Sequence, residues 1–138
     1  MLFRSSWNPA IAVDPSGDLH VAWEDPTPGN WEIYYKQSTD GGSTWTTSQR
    51  LTWNSGSSSS AAIAVDSSGH LHVVWNDDTP GNSAIYYKQN TDGGSTWTAS
   101  QRLTWNLDSS FSPALAVDSS DNLHVVWHED TPGNYEIY

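Results

Sequence analysis

The segment 38–45, Ser-Thr-Asp-Gly-Gly-Ser-Thr-Trp, decides the fold, and it returns 52 residues later at 90–97 as Asn-Thr-Asp-Gly-Gly-Ser-Thr-Trp. In each copy the aspartate can accept hydrogen bonds from the N–H groups of its own turn, and a glycine supplies the positive φ that a tight turn needs. The closing tryptophan can pack the turn against a sheet. The segment therefore predicts a tight turn between two antiparallel strands, used twice at a fixed spacing.

The same spacing extends outward from this turn over the whole chain. Residues 10–53 and 62–105 are identical at 35 of 44 positions, and residues 62–86 and 114–138 at 18 of 25. A fixed period of this order is typical of repeat architectures. The repeat divides the chain into units 1–53, 54–105 and 106–138, and the third unit ends inside its expected third strand.

Each unit predicts four short strands. In the first unit these are the apolar run 10–13, the alternating run 19–23, the extended run 32–37 and the stretch 44–53, separated by turns rich in Pro, Gly and Asp. No segment has a helical period. Four antiparallel strands in a unit of this length form a β-propeller blade, which cannot bury both faces until neighbouring blades stack on it. We predict an all-β fold of propeller blades that is incomplete in one chain.

The two turn segments resemble the Asp-box, S-x-D-x-G-x-x-W, of the sialidase-like β-propellers, with Asn at the first place of the second copy. The resemblance implies that the box residues hold the fold, namely Ser38, Asp40, Gly42, Trp45, Asn90, Asp92, Gly94 and Trp97. It also implies that ligands bind on the opposite face, at the loops after the second and fourth strands of each blade. The parent protein is then expected outside the cell or on its surface, although residues 1–7 do not have the form of a signal peptide.

The resemblance does not extend to sialidase chemistry. Sialidases of this fold use three arginines to clamp the carboxylate of the substrate, whereas the three arginines of this chain are Arg4, Arg50 and Arg102. The last two occupy one repeat position on the expected outermost strand, and lysine lacks the planar fork that such a clamp needs. We therefore expect no sialidase activity and no catalytic residues.

Acidic pairs follow the second strand of every unit: Glu24-Asp25, Asp77-Asp78 and Glu129-Asp130. Because an active site usually breaks the symmetry of a repeat, we interpret these pairs as solvated loop acids that accept turn hydrogen bonds. Paired carboxylates of a glycoside hydrolase are the alternative. The repeated histidines lie one blade apart and cannot share one zinc ion, so we expect no metal site and no cofactor: His20, His72 and His124.

Aromatic and acidic residues are expected together on the candidate ligand face, namely Trp31, Tyr135, Trp53, Trp105, Asp25, Asp78 and Asp130. Trp7, before the first strand, is expected on or near the same face. Flat aromatic faces beside polar side chains commonly hold sugar rings. For Trp53 and Trp105, however, we prefer the interpretation that they fill the gap between blades.

Composition and charge narrow the classes of partner. Nine Trp, six Tyr and two Phe stand beside only five Lys plus Arg, and the net charge is −11. Such a chain repels phosphate backbones and anionic lipid, which argues against nucleic acid and membranes as partners. An unpaired strand at each end and two uncovered blade faces favour association with further copies. Two chains would give six blades and three chains about eight, and we prefer the dimer.

Three functional hypotheses follow. The first is a non-catalytic structural propeller that assembles with itself into a closed ring. The alternative is a carbohydrate-binding, lectin-like module of a secreted or surface protein. The third is a glycoside hydrolase remnant.

Overall fold

A computed structural model describes residues 5–132 and 134–138; Arg4, one of the three arginines, and Gly133, in the third repeat unit, lie outside the described residues. The described part contains strands only, and no helix in it could cross a membrane. The strands are β1 (Trp7–Val13), β2 (Leu19–Asp25), β3 (Glu32–Ser38), β4 (Gln49–Arg50), β5 (Ser58–Val65), β6 (Leu71–Asp77), β7 (Ala84–Asn90), β8 (Gln101–Arg102), β9 (Ser109–Val117), β10 (Leu123–Thr131) and β11 (Asn134–Ile137).

The strands form three antiparallel sheets in chain order. Sheet 1 has the order β1-β2-β3-β4, sheet 2 has β5-β6-β7-β8, and sheet 3 has β9-β10-β11. The registers of the first two sheets match at the repeat spacing; for example, Trp23 lies opposite Tyr34 and Trp75 opposite Tyr86. The predicted all-β fold of blade-like sheets is confirmed.

The fourth strand is shorter than predicted. The sequence indicated a strand within 44–53, whereas β4 covers only Gln49–Arg50. Threonine side chains provide the physical reason, because Gln37 donates its N–H to Thr46 Oγ1 (3.0 Å) and Ile33 donates its N–H to Thr52 Oγ1 (2.9 Å). These hydroxyls replace the carbonyl acceptors of a regular ladder on both sides of β4.

The sheets stack face to face. We call the face that carries Trp75 in sheet 2 the leading face, and the face that carries Ile85 the trailing face; equivalent positions define these faces in the other sheets. The main core lies where the trailing face of sheet 1 meets the leading face of sheet 2, and it contains Ala22, Ile33, Tyr35, Leu51, Ala61, Ile63, Leu71, Val73 and Trp75. Burying this apolar surface is the main favourable contribution to stacking.

Burial along the second strand of each sheet shows the order of stacking. Every residue of β6 is buried, because sheets 1 and 3 cover both faces of sheet 2. In β2 the positions toward sheet 2 are buried, whereas Val21 and Trp23 on the leading face are partly exposed. In β10 the trailing-face residues His124 and Val126 are exposed. Sheet 1 therefore has an open leading face, and sheet 3 has an open trailing face.

Candidate ligand face

The Asp-box turns lie at the opposite end of the sheets from the candidate ligand face. Asp40 accepts hydrogen bonds from Thr44 N (2.8 Å), Thr44 Oγ1 (2.6 Å) and Ser38 Oγ (2.8 Å), and Ser38 Oγ accepts from Gly42 N. Trp45 Nε1 donates to the Gly42 carbonyl. The hydrogen bonds from Thr44, first from its side chain, lower the pKa of Asp40 to about 2. The carboxylate is thus committed to its own turn.

The second turn repeats this geometry with one substitution. Asp92 accepts from Thr96 N (2.8 Å) and Thr96 Oγ1 (2.5 Å), while Asn90 Oδ1 accepts from Gly94 N (2.7 Å) in the role of Ser38. Trp97 packs edge-on against Tyr35 of sheet 1, with ring centroids 5.1 Å apart. The second turn therefore also forms part of the contact between sheets 1 and 2.

The repeated histidines belong to polar clusters at the Asp-box end. His20 lies 2.8 Å from Tyr35 Oη and 3.4 Å from Asp14, and His72 lies 2.9 Å from Tyr87 Oη and 3.3 Å from Asp66. In sheet 3, His124 lies 3.0 Å from Asp118. The described residues contain no group of three His, Cys, Asp or Glu that could hold a metal ion.

The acids of the repeated pairs are only in part the solvated loop residues that the sequence indicated: Asp78 and Asp130 are exposed, whereas the others are buried. The buried acids lie at or near the ends of the second strands and are at least nine-tenths buried, namely Glu24, Asp25, Asp77 and Glu129. Asp77 accepts from Ser58 Oγ (2.7 Å) and Thr79 N (2.9 Å), which explains how the chain tolerates a fully buried carboxylate there.

The contacts and the exposure of the three acids predicted on the ligand face differ from one sheet to the next. Asp25 accepts from Thr27 N (2.8 Å), and Asp78 accepts from Ser57 N in the connection between sheets 1 and 2. Asp130 is exposed. Two of these carboxylates therefore hold loop backbone, and the placing of Asp25, Asp78 and Asp130 on a ligand face stays a prediction.

The aromatic residues are more accessible than the sequence indicated. Trp53 is 66% exposed, Trp105 is 76% exposed, and Tyr135 is 70% exposed, while Trp31 is half-buried. The interpretation that Trp53 fills the gap between blades is wrong, because sheet 2 stands beside it and still leaves two thirds of its surface uncovered. Trp105 is also not a gap filler against sheet 3. Trp7, the first residue of β1, instead lines a cleft on the open leading face of sheet 1.

Basic side chains surround the exposed tryptophans. The Arg50 guanidinium and the Lys88 Nζ lie 5.7 Å and 5.5 Å from the Trp53 ring centroid, and the Arg102 guanidinium lies 4.6 Å from that of Trp105. These are cation–π distances. Lys88 is 7% exposed and donates to the Leu51 carbonyl, and burial lowers the pKa of its ammonium group. The cations therefore sit beside aromatic faces on the outer part of the candidate ligand face.

A buried ion pair beside this region was missed in the sequence. Arg50 Nη2 lies 2.8 Å from Glu32 Oε1, and Glu32 is fully buried. Ala84 replaces Glu32 at the equivalent position of sheet 2, and Arg102 forms no salt bridge among the residues that the structure describes. Only the register that pairs Tyr34 with Arg50 would have revealed this contact.

Comparisons with known proteins support the fold. No family model and no curated protein matches the sequence. An endo-arabinase from Bacteroides thetaiotaomicron matches with a TM-score of 0.66, 17% identity and coverage of 96% of this chain and 55% of that chain. A Hadza microbial sialidase matches with a TM-score of 0.65, 14% identity and coverage of 97% and 31%. This chain thus spans about half or less of these two enzymes.

A third similar structure has nearly the same length as this chain. A fucose lectin from Kordia zhangzhouensis, solved in complex with methyl-fucoside, matches with a TM-score of 0.62 and 19% identity, and the match covers 94% of this chain and 90% of the lectin. At these identities the likeness establishes the fold alone. The fold is a propeller-type arrangement also found in carbohydrate-related proteins.

Proposed function

We propose that this chain is a non-catalytic propeller subunit and that further copies of the chain complete its ring. The observation that carries the proposal is the unequal burial of equivalent apolar positions. Ile63 on the leading face of sheet 2 is 8% exposed, whereas Ile11 at the same place in sheet 1 is 62% exposed. Ile33 and Ile85 on the trailing faces are fully buried, whereas Ile137 is 76% exposed. Large exposed apolar patches mark interaction surfaces.

The number of sheets sets the size of the ring. Because each chain contributes three sheets, two copies give six and three copies give nine, rather than the eight expected for a trimer from chain length. Propellers typically have about 4 to 8 blades, which favours two copies. Sheet 3 has three strands among the described residues, and an open outer edge at this sheet disturbs the central packing least.

The contacts of the acids and arginines support the non-catalytic part of the proposal. Asp25, Asp77 and Glu129 accept hydrogen bonds at or near the ends of their strands, and Arg50 pairs with Glu32. Each of these groups thus has a structural partner. Turnover of a chromogenic glycoside by the purified protein would contradict this part of the proposal.

Electron microscopy of the purified protein tests ring closure directly. Class averages should show a disc with six blades around a central channel. Open three-bladed particles at micromolar concentration would argue against the proposal.

Carbohydrate binding is the second candidate function, and the exposure of Trp53 favours it. A tryptophan that stays uncovered although its neighbouring sheet is present offers a flat surface for a sugar ring. The Arg50 guanidinium beside it, whose side chain is 25% exposed, can donate hydrogen bonds to sugar hydroxyls. The solved complex of the similar fucose lectin with methyl-fucoside gives this candidate further support.

A glycan array followed by calorimetry tests the second candidate. The combined change Trp53→Ala and Trp105→Ala should abolish binding, while Leu107→Ala, which alters a 96% exposed residue without a ring, should leave it unchanged. No binding to any glycan, or equal affinity of both variants, would remove this candidate.

A further inference from the structure

The two junctions inside the chain share one pair of backbone contacts. Ser58 donates its N–H to the carbonyl of Trp31 (2.7 Å), and Ser110 donates its N–H to the carbonyl of Ser83 (2.8 Å). In both cases the donor lies at the start of the inner strand of one sheet, as its first or second residue, and the acceptor directly precedes the third strand of the sheet before it. The spacing from acceptor to donor is 27 residues at both junctions.

A second contact recurs two residues further along each inner strand. Ser60 N donates to Glu24 Oε2 (2.6 Å), and Ser112 N donates to Asn76 Oδ1 (3.3 Å). Ser60 and Ser112 have φ values of 54° and 47°, and a register shift marks a bulge at each. A bulge leaves one residue outside the regular ladder, so its N–H can point to the preceding sheet.

Sheet 1 carries the same donors, and no sheet among the described residues precedes it to receive them. Asn8 has a φ of 47° within the bulge of β1, as Ser60 and Ser112 do in theirs. Sheet 3 carries the matching acceptor positions, where His128 replaces Glu24 and Asn76. Tyr135 stands there in the place of Trp31 and Ser83.

We propose that the open trailing face of sheet 3 docks on the open leading face of sheet 1 of a second copy, with His128 and the Tyr135 carbonyl accepting the N–H groups of Asn8 and Ser6 of that copy. This inference rests on the proposed ring closure and specifies its surfaces. The contact is head-to-tail, so two copies form two identical junctions around one ring.

The apolar side chains fit the same docking. Ile11, Val21 and Trp23 on the open leading face correspond to Ile63, Val73 and Trp75, which form the core between sheets 1 and 2. Beside them a cleft of about 380 Å³ is lined by Trp7, Pro9, Val21 and Trp23, among others. On the open trailing face, Val126 and Ile137 are 48% and 76% exposed. Their equivalents Val74 and Ile85 are fully buried against sheet 3.

Single substitutions on each open face test the inference by sedimentation equilibrium. Ile11→Asp and Ile137→Asp should each raise the dimer dissociation constant at least about a hundredfold, because each places an unpaired carboxylate in both junctions. Leu107→Asp, at an exposed position on neither face, should change it less than about threefold. All three positions are largely exposed in the single chain, so folding should be kept and is checked by circular dichroism.

The outcomes separate this inference from the proposed function. A wild-type monomer at every concentration would overturn both. A dimer that tolerates Ile137→Asp but not Ile11→Asp would mean that two leading faces meet, which overturns the head-to-tail inference and leaves self-association standing. As a second measurement, His128→Asn should keep the dimer because it restores the residue found at 76, and His128→Phe should weaken it about tenfold by removing the acceptor. Equal dissociation constants for these two variants would refute the assigned role of His128.

Discussion

Replacing Gly94 by alanine should destabilise the protein much more than the same change at Gly42, although both occupy one position of the repeat. Their φ values of 91° and 93° are nearly equal, so the backbone strain of an added side chain is the same at both. This strain costs about 1–2 kcal/mol for an L-residue in the left-handed region. The two sites differ only in what surrounds the new Cβ atom.

At Gly42 the new Cβ would meet Leu19 Cδ1 at 3.6 Å, which is an ordinary contact. At Gly94 it would overlap Tyr35 Oη and lie 2.7 Å from Gln37 Oε1, both in sheet 1. Tyr35 is 2% exposed and holds hydrogen bonds of 2.8 Å to His20 and Gln37, so it cannot yield without losing them. Such overpacking adds about 1–3 kcal/mol to the backbone strain.

Urea denaturation measures the difference. Gly42→Ala should lower the free energy of unfolding by about 1–2 kcal/mol, and Gly94→Ala by about 2–5 kcal/mol, with unchanged m-values. Equal losses for the two variants would refute the close contact between the second Asp-box turn and sheet 1. They would also contradict the stacking order on which the ring rests.

Three further predictions concern single side chains. Ser67→Ala leaves the backbone of Asp121 unchanged but removes the hydrogen bond that Ser67 Oγ donates to Asp121 (2.5 Å), and it should cost less than about 1 kcal/mol in thermal unfolding because this pair is exposed. Trp75→Ala should cost about 3–5 kcal/mol in urea, because Trp75 is fully buried, whereas Trp53→Ala should cost less than about 1 kcal/mol. The pKa of Asp40 falls from 3.8 to about 2 on folding, so its stabilising contribution is present above pH 4 and disappears as the pH falls toward 2. Asp40→Asn should therefore reduce the loss of urea stability between pH 5 and pH 2.5, and an unchanged loss would contradict this assignment.

The repeat allowed most of the fold to be predicted, because turn chemistry and strand alternation are local properties. The length of β4 could not be predicted, since the side chains of Thr46 and Thr52 replace ladder acceptors only once their partners on β3 are in place. Sequence alone also could not show that Asp77 is buried. An acid beside a proline-rich loop is usually solvated, and its burial here depends on Ser58 in the neighbouring strand.

The candidate ligand face was harder to predict for a related reason. Trp53 and Trp75 are both tryptophans of the repeat, yet Trp53 is 66% exposed and Trp75 is fully buried. Trp75 lies in β6, which sheets 1 and 3 cover on both faces, whereas Trp53 follows β4, and only the stacked structure shows which of these positions is covered. The cations near Trp53 come from two different sheets, Arg50 from β4 and Lys88 from β7, so only the stacked structure brings them together.

The mass of the protein in solution tests the central claim most directly. Light scattering on a sizing column, over a hundredfold range of loading concentration, should give a single species at twice 15.2 kDa that dissociates only on dilution. A mass of 15.2 kDa at every concentration would show that the open faces of sheets 1 and 3 stay uncovered, and it would contradict the account of how this chain completes a propeller.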